Sequence, residues 1–165
     1  IFGVTGGVLE AALRTAYEWI TDKDLDNVNF TQVRGLQGIK EASININGTT
    51  INACIVSGLG NARKVMDEVA KGNSKYHIIE VMACPGGCVA GGGQPYHKGD
   101  YEIIKKRIEG LYNIDSSKNV RKSHKNPSII TLYEEFLGEP HSDTAYKYLH
   151  THFFDKSDIY SDDKE

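Results

Sequence analysis

Cysteine and tryptophan are scarce in this chain, with three of the first and one of the second among 165 residues. An odd, sparse cysteine set is unlike the dense even sets of secreted disulfide scaffolds, so a reducing compartment, the cytoplasm, is the expected setting. Long apolar runs are missing as well. Pairs such as Ile78-Ile79 and Ile129-Ile130 fall far short of the roughly 20 residues that span a bilayer, and no charged-then-apolar signal segment opens the chain. Nor is there a basic excess: the formal charge is -3. Nucleic acid, which calls for a strongly basic surface, is not an expected partner. An initiator Met is absent too, and IFGVTGG starts on an apolar pair leading into a glycine turn, as if a strand had been cut. Residue 1 is therefore not expected to be a natural start.

What is present is enough apolar material for a core, 39% of residues, in a length typical of one domain. The run VLEAALRTAYEWI sets Val8, Ala12, Tyr17 and Trp19 at roughly helical spacing and predicts a helix, with Thr5 available to cap it. TDKDLDNVNF reads as a polar loop and FTQVRGL as a short strand. Two period-two runs meet at Asn47-Gly48, the strongest short-range hairpin signal. GLGNARKVMDEVAKG predicts a helix with Val65, Met66 and Val69 on one face, ended by Gly72. HIIEVMA is a short, nearly continuous apolar strand, so strand, helix and strand form a crossover that builds parallel pairing. Three further helices are expected in DYEIIKKRIEGLYNID, PSIITLYEEFL and SDTAYKYLHTHF, the second starting at Pro127, where a missing N–H costs nothing. The expected fold is α/β: a sheet containing a parallel pair, flanking helices, one β-hairpin and a helical C-terminal wrap over residues 1–154. Residues 155–165 read as an acidic, disordered tail.

The densest chemistry lies in EVMACPGGCVAGGGQP, residues 80–95, which leaves the carboxyl end of the last strand, where open α/β sheets place their sites. Cys84 and Cys88 admit several readings. They could be buried structural thiols, a short-loop disulfide, or half of a zinc site completed by two further ligands, with His77 and His97 flanking the loop. Zinc, however, has no use for the run Gly91-Gly92-Gly93. Iron–sulfur binding explains it better, because cluster sulfides accept hydrogen bonds from backbone N–H groups, and a chain with few side chains approaches them closely. Gly86, Gly87, Gly91, Gly92 and Gly93 are then shape rather than catalysts. A cubane needs about four thiolates. The loop offers two, and Cys54 sits where strand alternation makes it an inert core thiol.

This loop, together with IFGVTGGVLEAALRTAYE, VRGLQGIKEA, SGLGNARKV, KSHKNPSIITLYEEFLGEP and YLHTHF, closely resembles the C-terminal part of the catalytic domain of iron-only (FeFe) hydrogenases. The resemblance implies one lobe of a two-lobed catalytic domain over residues 1–154. It implies reversible oxidation of molecular hydrogen to protons and electrons at an H-cluster. That cofactor is a 4Fe-4S cubane joined through a cysteine sulfur to a two-iron subsite carrying CO, CN and an amine-containing dithiolate. By motif position, Cys84 resembles the cubane ligand and Cys88 the bridging thiolate. Met82 resembles the methionine that packs beside the two-iron subsite, and Phe2 and Gly3 the residues that wall the same pocket. The TSCCP-type and MPC-type segments that carry the family's other cluster cysteines have no counterpart here, so the implied partner is an N-terminal half bearing two more cubane ligands. An electron carrier, ferredoxin or a nicotinamide-linked subunit, is implied too. On this reading the chain alone binds no intact cluster and makes no hydrogen. A hydrogenase-like iron–sulfur assembly protein and a sensory hydrogenase module are the competing expectations.

Other features carry less. GLGNAR lacks the lysine of a phosphate loop and reads as a helix start. His150 and His152 are two apart, the wrong helical spacing for a shared metal. Lys105, Lys106 and Arg107 read as a solvated face, and Glu80 as a strand-edge carboxylate that pairs with Lys75 or Arg63, or else relays or neutralises charge.

Overall fold

The computed structural model describes residues 1–154, and the tail expected over 155–165 lies outside them. Two compact units are present, Ile1–Ser123 and the residues from His124 onward.

The first unit is built on a three-stranded sheet. β1 (Ile39–Ile46) and β2 (Thr49–Ser57) pair antiparallel, and the turn between them holds Asn47 at φ 51° and Gly48 at φ 87°. A two-residue hairpin that follows the strand twist needs both residues in that left-handed region, which is why Asn-Gly marks it. β3 (Ile78–Met82) lies parallel on the other side of β2, from Ala53 opposite Ile78 to Ser57 opposite Met82. The crossover between them is α2 (Leu59–Ala70), and the chain leaves it through Gly72 at φ 77°.

Position in the sheet sets the burial pattern. β1, at an edge, alternates exposed and buried along its length, whereas β2, in the centre, is buried at five successive residues from Ala53 to Ser57. On one face α1 (Gly7–Thr21) brings Leu9 and Leu13 against Val33, Ala42, Ile44, Ile46, Ala53 and Ile55. On the other, Ala62 and Val65 of α2 pack on Cys54 and Val56. Each fully buried Leu, Ile or Val contributes about 1.5–3 kcal/mol. A third cluster, Val4, Val89 and Ile104, joins the start of the chain to the thiol loop and to α3 (Tyr101–Ser116), whose first turn is capped by the Asp100 carboxylate accepting from Glu102 N at 2.9 Å.

Three local expectations change. Of the stripe that marked α1, only Tyr17 packs on the core, while Val8 at 42% and Trp19 at 64% exposure face outward with Ala12. The buried side instead carries Glu10 and Arg14, because their charges are paired there: Arg14 donates to Glu10 at 3.0 Å and to Asp115 at 2.8 Å, and Arg34 donates to Glu10 at 2.5 Å. FTQVRGL forms a 3₁₀ turn at Thr31–Val33 rather than a strand. The buried Lys40 ammonium donates to Val33 O and Gly35 O, both at 2.8 Å, so these carbonyls are satisfied without a ladder. On α2, Val65 is buried but Met66 and Val69 are not.

In the second unit, α4 (Pro127–Leu132) starts at the expected proline, with the Asn126 side chain accepting from Ser128 N at 3.0 Å. It runs on into a π turn, Tyr133–Leu137, closed at Gly138. α5 (Asp143–Leu149) is capped by Ser142 and is shorter than expected, stopping before the histidines. His150 stacks on Tyr146 at 4.3 Å between ring centroids, and His152 lies 5.6 Å from the same ring.

Candidate metal-cluster site

β3 ends at Met82, and the carbonyl of Met82 accepts from Gly58 N at 2.8 Å, which fixes the strand end to the start of α2. The chain then folds into a tight loop. Gly87 N donates to Cys84 O at 3.0 Å, and a 3₁₀ turn, Cys88–Ala90, passes the second thiol into the glycine run, with Gly91 N donating to Cys88 O at 3.0 Å. Pro85 sits at the turn between the thiols. Cys84 is half-buried and Cys88 exposed, and neither is in a disulfide, whereas Cys54 is fully buried.

Segments more than 80 residues apart in sequence meet here. Thr5 N donates to Gly86 O and Val89 N to Gly3 O, both at 3.1 Å. Gly87, at φ 98°, is pressed against this contact. A Cβ there would stand 2.7 Å from Gly3 O, 2.8 Å from Thr5 N and 3.0 Å from the sulfur of Met82. A Cβ on Gly3 would lie 3.8 Å from the Cβ of Cys88. Met82, Gly3, Gly87 and Cys88 therefore share one small region. Cys84 is bordered by Gly91, where a Cβ would come within 3.3 Å of its sulfur. Gly86 packs on Leu36 and Ile104, inside the core. A Cβ on Gly92 or Gly93 would meet nothing within 4 Å. Phe2 is 59% exposed and lines, with Val8, Ala12 and Trp19, an apolar groove of about 390 Å³ along α1.

A second cleft, of about 380 Å³, runs from Gly58, Gly60 and Asn61 to Pro85 and Tyr101. The Asn61 amide is turned away from any phosphate role by donating to Ser57 O at 2.9 Å.

The zinc reading loses its extra ligands. His77 stands at the far end of β3, roughly 16 Å from the loop at strand rise, where its Nδ1 accepts from Asn52 N at 2.9 Å. The Nδ1 of His97 accepts from Gly99 N at 3.2 Å. Among the described residues, no group of three or more His, Cys, Asp or Glu is placed to hold a metal. Two thiols on a cradle that a single Cβ would crowd fit a cluster with sulfide faces better than a tetrahedral ion.

Three residues near the loop make contacts that differ from their sequence reading. Glu80 pairs with neither Lys75 nor Arg63. Lys75 goes to Glu41 at 2.7 Å, and both Glu80 oxygens accept from α1, from Gly6 N at 2.5 Å and Leu9 N at 2.7 Å. Thr5, the expected cap, makes no hydrogen bond through its buried hydroxyl. Arg107 is no solvated charge: its guanidinium donates to Val89 O at 2.8 Å and Pro95 O at 2.6 Å, bracketing the glycine run at both ends. An arginine nearly two turns into a helix after a glycine-rich loop was the signal available in the sequence.

Comparison with known proteins places the chain in a family. A profile described as "Iron only hydrogenase large subunit, C-terminal domain" matches residues 1–92, and one described as "Iron hydrogenase small subunit" matches residues 101–156. The NADP-reducing hydrogenase subunit HndD of Solidesulfovibrio fructosivorans is 54% identical over 93% of this chain and 26% of its own length. A solved FeFe-hydrogenase from Chlamydomonas reinhardtii is 40% identical with a TM-score of 0.70, over 93% of this chain and 45% of that one. At 28% identity, the cytosolic Fe-S cluster assembly factor narfl of Xenopus tropicalis aligns over 92% of this chain and 31% of its own length. The chain thus spans from about a quarter to under half the length of these relatives. With a family profile covering more than half of its residues and the expected thiol loop in place, the chain belongs to the iron-only hydrogenase family, in the region that forms the C-terminal domain of the large subunit.

Proposed function

We propose that this chain forms the C-terminal part of the catalytic domain of an iron-only hydrogenase that interconverts molecular hydrogen with protons and electrons, and that Cys84 and Cys88 are two of the ligands of its H-cluster. The observation that carries the reading is the meeting of Met82, Gly3, Gly87 and Cys88 at the carboxyl end of β3.

When bound, the cluster supplies the Lewis acid, the base and the electron path for heterolytic cleavage of hydrogen. The chain's own residues supply place and dryness. Cys84 and Cys88 would hold the cluster through their sulfurs, in the roles their motif positions imply. The Met82 thioether and the Gly3 backbone form a wall beside Cys88, with Phe2 as its outer apolar edge. Gly87 and Gly91 keep the backbone bare, and Arg107 holds the loop ends. The remaining cubane ligands come from the N-terminal part of the catalytic domain, for which the groove from Phe2 to Trp19 is a fitting apolar contact surface. Electrons pass to a ferredoxin or a nicotinamide-linked subunit, the latter in keeping with the NADP-reducing name of one relative. The setting proposed is the cytoplasm, as the sparse, odd cysteine set leads one to expect.

The relative named as an assembly factor favours a second reading, a hydrogenase-like iron–sulfur protein without the two-iron subsite. One experiment separates the two. The full-length protein carrying this chain is prepared anaerobically with the maturation proteins, then analysed for iron and by infrared spectroscopy. Metal-bound CO and CN bands that vanish in Cys88→Ser support the hydrogenase. Iron without those bands in a fully matured sample supports the assembly reading, and zinc or no metal at the two thiols sinks both.

A further inference from the structure

A helix N-terminus exposes several unpaired N–H groups, and these are usually capped by a Ser, Thr, Asp or Asn that immediately precedes the helix. α1 does not use its neighbour. Thr5 leaves its hydroxyl unbonded, and the cap comes from Glu80, more than 70 residues away on β3 and only 9% exposed. Both carboxylate oxygens are spent on one helix end, through Gly6 N at 2.5 Å and Leu9 N at 2.7 Å. A charge-assisted pair of this kind is among the stronger hydrogen-bonded contacts, and it also suits the positive end of the helix dipole.

The remoteness of the cap matters for what lies beside it. Two residues beyond Glu80, β3 ends at Met82, whose sulfur borders Gly87. Just ahead of Gly6, Thr5 N bonds Gly86 O, and Gly3 O receives Val89 N. The path from Glu80 through Met82 and the thiol loop to Gly3, Thr5, Gly6 and back to Glu80 is therefore a closed ring. Cys88 lies on that path, next to Gly3. A local cap would satisfy the same N–H groups without closing that ring.

We infer that Glu80 is a positioning residue for the thiol site: by tying the start of α1 to β3, it sets the spacing between the Phe2–Gly3 wall and Cys88. As far as it concerns the cluster, this rests on the hydrogenase reading above. Glu80 touches no ligand and moves no proton in this role.

Amide hydrogen exchange and infrared spectra of the full-length protein test it, in Glu80→Gln and Glu80→Asp variants. Gln keeps the length but turns an NH₂ toward one of the two N–H donors. Asp keeps the charge but is one methylene, about 1.5 Å, too short to reach both. Both variants are expected to exchange roughly tenfold faster at residues 5–9 and, through the ring, at Val89, with the β1–β2 amides unchanged. In matured protein, both are expected to shift or broaden the CO and CN bands while the iron content stays near that of wild type. Faster exchange confined to residues 6–9, with Val89 and the bands as in wild type, would make Glu80 a helix cap only. An Asp variant that behaves as wild type would show that charge, not reach, is what matters, and would overturn the inference as well. If one variant does not fold, the other decides. If wild-type protein itself lacks CO and CN bands, the hydrogenase reading fails, and exchange at Val89 still decides whether the ring is coupled.

Discussion

The sulfur of Cys84 lies 3.3 Å from the point at which a side chain on Gly91 would begin. That separation is tighter than ordinary packing, so one of the two must yield when a methyl group is added. Gly91 has φ −76°, which any residue adopts without strain. Gly91→Ala is therefore a clean probe of space around the thiol. Its expected effect is a several-fold fall in iron bound per chain, with the stability of the metal-free protein changed by only about 1 kcal/mol, the low end of an overpacking cost. Iron analysis beside a urea titration checks this, and an unchanged iron content would show that Cys84 has room to move.

Gly87 and Gly92 should behave as opposites. At Gly87 an added Cβ meets two backbone atoms under 3 Å, and its φ of 98° disfavours any side chain. Gly87→Ala combines a clash with backbone strain of about 1–2 kcal/mol, and overpacking adds about 1–3 kcal/mol. The fold itself is expected to weaken by several kcal/mol, visible as a large drop in thermal midpoint. Gly92→Ala meets nothing within 4 Å, and the metal-free protein should change by less than about 0.5 kcal/mol. On the proposed function, any loss it causes is expected only in the loaded, full-length protein.

The difference between these two glycines was not legible in the sequence, where both belong to one bare stretch. What was legible is local. Asn47-Gly48 fixed the hairpin through its own backbone preference, and the apolar run Ile78–Met82 after a helix implied the parallel strand that carries the thiols. What escaped depends on side chains reaching across the fold. The Lys40 ammonium satisfies Val33 O and Gly35 O and so removes an expected strand. Glu80 replaces Thr5 as a cap, and Arg107 leaves solvent to hold a loop. Periodicity cannot register such contacts, because each partner is an ordinary residue until the fold brings the other within reach.

Arg107 makes the loop prediction separable from the thiols. Its two bonds to Val89 O and Pro95 O span the glycine run without touching either cysteine. Arg107→Lys keeps the charge but presents a single ammonium in place of a fork, and cannot hold both carbonyls in the same way. Faster amide exchange is expected from Ala90 to Gln94, with a stability loss of about 1–2 kcal/mol. Exchange that matches wild type would show that the run is held by its own turns.

Lys40 gives the fold an alkaline signature. Burial pushes its ammonium from the ordinary value of 10.5 down to about 8, against the opposing pull of the Glu80 charge. Between about 8 and 10.5 the unfolded chain then holds more protons than the folded one, so stability rises with pH across that window. Below it, protonation in both states leaves the buried charge as a standing cost. Lys40→Met should lose that rise, although its overall stability also falls because Val33 O and Gly35 O lose their donor. The informative quantity is the difference in slope between wild type and variant, read from urea midpoints at about pH 7 and about pH 9.5. Parallel slopes would show that the ammonium is better solvated than its surroundings imply.

Cys54 separates core thiol from cluster ligand. It is fully buried on β2 against Val56, Ala62 and Val65, and burial pushes its thiol above the usual range, with Tyr76 only partly opposing that. A neutral, enclosed thiol is a small hydrophobe rather than a nucleophile or a ligand. In the metal-free native protein, iodoacetamide should label Cys88 readily and leave Cys54 untouched until the chain unfolds. Cys54→Ala is expected to cost about 1 kcal/mol for the missing sulfur and to leave the iron content as in wild type, while Cys84→Ala and Cys88→Ala abolish cluster binding at little cost to the metal-free fold. If Cys54→Ala instead removed iron, the third thiol would have to reach the site, which its place in the sheet core forbids without unfolding β2.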